Sequence, residues 1–148
     1  MPLPKDLPDH HDAELIIKLY DLRREPVLRA SRVAMFKEYW PRTDDEAVAV
    51  FKPDHPLNAA FRQTSTYWEM VFGMAHHGIV HGDYLAENSG EGLLLFARAY
   101  PHLAAIRAAY NSRIFRHAEW VASETSAGRA IFEGARERVS RMLASRAS

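Results

Sequence analysis

Histidine and one embedded carboxylate are the groups whose type and spacing could carry chemistry in this chain of 148 residues. Three of the eight histidines fall in the run HHGIVH, where His77 and His81 stand four apart. On a continuous helix that spacing holds two imidazoles over one metal ion. Gly78 lies between them as a helix breaker, and no glutamate follows the first histidine as the HExxH pattern of zinc proteases requires. The nearest carboxylates, Glu69 and Asp83, would have to fold inward. His76, His77 and His81 are therefore the metal candidates. They are weighed against the simpler expectation of a solvated helix end, with histidines at the negative pole of the helix dipole. A second cluster, His10, His11, Asp12 and Glu14, has the His-Asp pair of metal phosphohydrolases without their further histidine and aspartate, so a surface cap is expected there. The Glu-x-x-His pairs of di-iron bundles are also missing, since Glu69 is followed three residues later by Phe72. No cofactor is implied.

Glu69 lies among mostly apolar neighbours, so its carboxylate must find a cation or keep a proton. Arg62, Arg98 and Arg107 are the candidate partners for a structural ion pair. Alternatively, Glu69 lines a ligand pocket with Tyr67, Trp68 and an arginine, Arg62 or Arg107. Other catalytic signatures are missing: no GxSxG, no Walker loop, no GxGxxG and no cysteine. The lack of thiols removes disulfides, thiolate metal sites, iron–sulfur clusters and a cysteine nucleophile. The glycine-bearing start GEGLLL could greet an anion, as many ordinary helix starts could. Five arginines, Arg129, Arg136, Arg138, Arg141 and Arg146, share the last helix with Glu133 and Glu137, the mixture of a solvated face.

Helices must position these groups. From Leu57 to Ala75, apolar residues recur at three-and-four spacing (Leu57, Phe61, Thr64, Trp68, Val71, Phe72, Ala75), with Tyr67, Met70 and Met74 widening the face. This predicts a central helix near residues 56–77, covered on several sides. Its remaining stripe is polar: Arg62, Thr66, Glu69, Gly73 and His76, where Gly73 suggests the close approach of another backbone. Gly78 is expected in the left-handed position after the last turn, with Ile79 folding back onto Met74.

Ahead of this helix, Asp9 or Asp12 can cap a first helix that buries Leu15, Ile16, Leu19 and Leu22. Pro26 then starts a second helix or sharply bends the first, near Trp40 and Pro41 the segment ends, and Thr43 with Glu46 opens a short helix. Asp54 and Pro56 are expected to open the central helix in the same manner. After it come a short segment from Asp83 to Asn88, a glycine-bearing break at Ser89, Gly90 and Gly92, and the apolar LLLFARAY up to Pro101. Leu103, Ile106, Tyr110, Ile114, Ala118 and Val121 hold one period, favouring a single long helix. A last helix from Thr125 or Ser126 buries Ile131, Phe132, Ala135, Val139, Met142 and Leu143. The expectation is an all-α bundle of about six to seven helices in a single domain over residues 1–148, with an extended segment at 1–8 and a frayed tail at 144–148.

The chain resembles a family of uncharacterised bacterial all-helical domains of unknown function. The matching parts are LYDLRREPVLRASR, YWEMVFGMAHHGIVHGDYL and an apolar helix leading into YPHLAAIR, from Asp12 to about Trp120. The resemblance implies an all-helical fold, but brings no activity and no catalytic residue.

Charge and composition bound the function. The 19 Lys and Arg balance 19 Asp and Glu, leaving no global field to gather nucleic acid or an anionic membrane. No run approaches the roughly 20 apolar residues that span a bilayer, so a cytoplasmic location is expected by elimination. The leading expectation is a non-enzymatic interaction or assembly module that self-associates or holds a protein partner. Trp40, Trp120 and Phe132 are the large side chains expected to show at an interface. The alternative is a small-molecule- or metal-binding bundle with hydrolytic activity, using Glu69, His76, His77 and His81.

Overall fold

A computed structural model describes residues 5–146, whose regular elements are all helices, with no strand among the described residues. In chain order the helices are α1 (His10–Leu22), α2 (Pro26–Glu38), α3 (Asp44–Ala49), α4 (Asn58–His76), α5 (Gly82–Glu87), α6 (Gly90–Ala99), α7 (Leu103–Ala109), α8 (Arg116–Glu124) and α9 (Ser126–Arg146). One turn of 3-10 helix, Tyr100–His102, joins α6 to α7. The short helices α3, α5 and α7 each add an element beyond the main rods of the bundle. Met1 to Pro4 of the expected extended segment, and residues 147 and 148 of the expected tail, lie outside the described residues. The final helix continues through Arg146, where a frayed tail from residue 144 was expected.

Local chemistry sets most of the boundaries. Asp9 accepts from the amides of His11 and Asp12 while Asp12 accepts from the Asp9 amide, a reciprocal cap for α1. Pro26 occupies the first position of α2, and Glu25 caps it by accepting from Val27 and Leu28. Thr43 accepts from the Glu46 amide to open α3, and Glu46 reaches back one residue further than expected, to the amide of Arg42. The expected Asp54 cap on α4 is not made. His55 Nδ1 accepts from Leu57 N instead, and Asn58 donates its side-chain amide to the carbonyl of Val50. At the other end Gly78 sits at φ 74°, Gly78 N donates to Ala75 O and Ile79 N to Met74 O, as the sequence predicts.

Two helices share the centre. α4 packs against α2, α5 and α8, with Trp68, Val71 and Phe72 almost wholly buried, while α6 packs against α8 and α9 and is buried from Gly92 to Ala99. They meet at Gly92, where an added Cβ would lie 2.5 Å from the Trp68 ring and 2.8 Å from Phe72. Only glycine admits that approach. Arg98 of α6, 4% exposed, donates to the carbonyls of Met35 and Tyr39 and so closes the C-terminal end of α2. Its guanidinium stands over the Trp40 ring, and burial pulls its pKa down to about 10.

The single long helix expected after Pro101 is two helices. The chain leaves α7 at Tyr110, Asn111 Oδ1 accepts from the Arg113 amide, and Phe115 adopts a left-handed conformation at φ 61°. An asparagine side chain offers its backbone a turn at low cost, and Phe115 is held by its packing between Phe61 and Phe96. The apolar period is continuous across the break because both short helices turn their buried faces to the same core.

Candidate functional site

The polar stripe of α4 is exposed at Arg62 and Thr66, and from Glu69 onwards it is the seat of α8. Glu69 accepts from the backbone amides of His117 at 3.1 Å and Ala118 at 2.8 Å, so it caps the first turn of α8 from another helix. Free first-turn amides carry the positive end of the helix dipole and suit a carboxylate. One turn further along α4, an added Cβ at Gly73 would stand 3.2 Å from the His117 ring, so the group brought close there is a side chain and not the expected backbone. His76 then stacks flat on Trp120, with ring centroids 4.7 Å apart, and its Nδ1 lies 2.9 Å from Nδ1 of His117.

The expected ion pair at Glu69 is replaced by these amides. Arg107 binds Glu119 and the carbonyl of Ile114, Arg98 binds α2, and Arg62 is exposed. Burial raises the Glu69 carboxyl above its ordinary range, and the two amide bonds only partly offset that. Glu69 does line a hollow of about 320 Å³, together with Phe51, Phe61, Thr66, Arg113 and Phe115. Tyr67, Trp68, Arg62 and Arg107 are not among its walls. Tyr67 instead points towards α1, donating to the carbonyl of Leu19 and accepting from Arg23, whose guanidinium also covers Trp68 at 4.6 Å. The five pocket candidates thus divide between opposite sides of the bundle.

The histidines divide as well. His76 and His117 pair, and the His77 ring lies 5.4 Å from that of His117. His81 caps α5 by accepting from the Tyr84 amide. Among the described residues no group of three or more His, Asp or Glu side chains is arranged to hold a metal ion. Asp12, expected as a surface group, is 0% exposed and accepts from Lys5, Asp9 N and His81 N. Burial opposes its charge, but Lys5 and the two amides outweigh that and hold its carboxyl below the usual range. Asp83 accepts from the Ala127 amide at the start of α9. Asp12, Glu69 and Asp83 therefore share one role, tying helix starts to distant elements.

A further cavity of mixed chemistry was not anticipated. A hollow of about 640 Å³ lies between α2, the start of α6 and the middle of α9. Val33 and Phe36 wall it on one side, Leu94, Ile131 and Ala135 form its floor, and Arg29, Lys37 and Arg138 stand at its rim. Glu91, the acid within it, is held in a two-pronged bond by Arg32, at 2.7 and 2.8 Å. Trp40 and Phe132, expected at an interface, are buried, and Trp120 is covered in part by His76. The signal for the hollow lay in α2, which carries apolar residues on two faces: Leu28 and Met35 inside, Val33 and Phe36 outside.

No helix among the described residues is long and apolar enough to cross a membrane. In comparisons with known proteins, no curated protein and no solved structure matches the chain. A family model described as a domain of unknown function, DUF4760, matches residues 8–125, from the cap of α1 to the end of α8. With that much of its length and both central helices inside the match, the chain belongs to the DUF4760 family.

Proposed function

We propose that this protein is a non-enzymatic helical module that works through surface contacts and associates with itself. One observation carries the reading. Among the described residues, seven of the eleven large hydrophobic side chains left exposed (Leu7, Ile17, Tyr20, Leu22, Val27, Val33 and Phe36) fall in the first 36 residues, on α1, α2 and the segment before them. Ile17 is 68% and Val33 49% exposed. Scattered exposed apolar groups are ordinary, but their concentration on one pair of neighbouring helices is the mark of a contact surface. Chemistry at Glu69 has less support: both of its oxygens are already engaged by α8, and its hollow, about 320 Å³, is at the small end of ligand pockets.

Sedimentation equilibrium over a wide concentration range tests this. The expected outcome is a mass that rises from the 16.9 kDa of one chain towards twice that value. A mass of one chain at every concentration would remove the proposal.

A further inference from the structure

We infer that the hollow between α2, α6 and α9 receives the outer face of α1 from a second copy of this chain, each copy serving the other across a two-fold axis. This rests on the self-association proposed above and names its two halves.

The receiving half is an unfilled seam. α2 and α9 stand on either side of the start of α6 and meet through arginines, with Arg138 over the Phe36 ring at 5.8 Å and Arg146 donating to the carbonyl of Lys37. Gly90 and Gly134 face the gap, and an added Cβ at either would meet nothing within 4 Å. The floor is apolar and the rim is cationic. Among the described residues no carboxylate lies within ion-pair distance of Arg29, Lys37 or Arg138, while Glu91 is already neutralised by Arg32. A second hollow of about 540 Å³ flanks α2 from Pro26 to Glu38 and shares Arg29, Val33 and Lys37 with the first, so both flanks of this helix are open to a partner. Its chemistry asks for an amphipathic helix with acidic groups beside its apolar residues.

The chain carries such a helix. On the outer face of α1, Glu14, Ile17 and Asp21 follow one another at three-and-four spacing, with Tyr20 alongside, and all four are exposed. Neither Glu14 nor Asp21 has a side-chain cation partner among the described residues. Three residues separate the end of α1 at Leu22 from the start of α2 at Pro26, and Arg23 between them donates to the carbonyl of Asn88 just ahead of α6, which places the end of α1 beside the receiving hollow. A two-fold axis beside that turn satisfies both contacts at once and closes the assembly at two copies.

Paired charge reversal tests the assignment. One variant carries Arg29→Glu and Arg138→Glu, the other Glu14→Arg and Asp21→Arg. These are exposed sites, and circular dichroism with thermal melts confirms that each variant folds. Each alone is expected to weaken dimerisation by about tenfold or more, and an equimolar mixture is expected to recover the dimer, because each new interface then contains one reversed and one natural pairing. Gly134→Leu, which adds bulk where there is open space, is expected to block the groove without loss of thermal stability. If the natural chain dimerises but neither reversal weakens it, or the mixture stays monomeric, this pairing is overturned while self-association stands. A natural chain that is monomeric throughout overturns both.

Discussion

At the scale of single residues, the acids of this protein are satisfied by helix starts more than by arginines. Glu69 shows what that is worth. Glu69→Ala leaves two first-turn amides of α8 without an acceptor and is expected to cost about 1–2 kcal/mol, the range of a lost helix cap. Glu69→Gln keeps an acceptor oxygen, so urea denaturation is expected to show a smaller loss; equal losses would mean that the charge matters and the hydrogen bonds do not.

The histidine pair gives a pH dependence. Burial holds the His76 and His117 imidazoles below their usual range, and Arg116 and the neighbouring histidines add to it. Above about pH 6.5 their contribution to stability is complete, and it is lost as pH falls through the depressed folded values, because the unfolded chain takes up protons first. The raised Glu69 carboxyl acts in the opposite sense at lower pH, binding its proton more readily in the folded chain. His117→Asn is expected to flatten the decline in denaturation midpoint between about pH 7 and 5, and an unchanged slope would remove the pair as its source. None of this could be read from residue order, because the partners of Glu69 are backbone amides that only the placement of α8 brings near.

At the scale of elements, the contrast between two glycines tests how the helices meet. Gly92→Ala drives a methyl group into Trp68 and Phe72 and is expected to cost about 1–3 kcal/mol by overpacking. Gly134→Ala meets open space in a helix interior and is expected to stabilise by up to about 1 kcal/mol. Chemical denaturation at low protein concentration reads both, and similar effects would contradict the observed approach of α6 to α4. Helix ends set by their own neighbours were legible in advance: Pro26 starts α2 because it needs no amide, and Gly78 stops α4 because it tolerates φ 74°. The break between α7 and α8 was not legible. Its apolar period runs on through Asn111, and the left-handed Phe115 is stabilised by aromatic rings from distant helices. The outward placement of Leu22 was missed for a related reason, since α1 is apolar around more of its circumference than the core covers.

At the scale of the whole molecule, a closed interior and an open first quarter of the chain divide the work. Trp68, Phe72 and Phe96 sit in a buried apolar core built on α4 and α6, and Glu69 and Arg98 beside it are engaged in joining helices. The all-helical class and the central helix followed from periodicity. The contact face did not, because periodicity shows that a residue is apolar without showing which face stays uncovered. Hydrogen exchange of the natural chain, compared below and above the concentration at which it associates, tests the working surface most directly. The predicted result is added protection confined to α1, α2 and the facing parts of α6 and α9, with α3, α7 and α8 unchanged. Protection that does not change with concentration, or that rises at α7 and α8 instead, would contradict it.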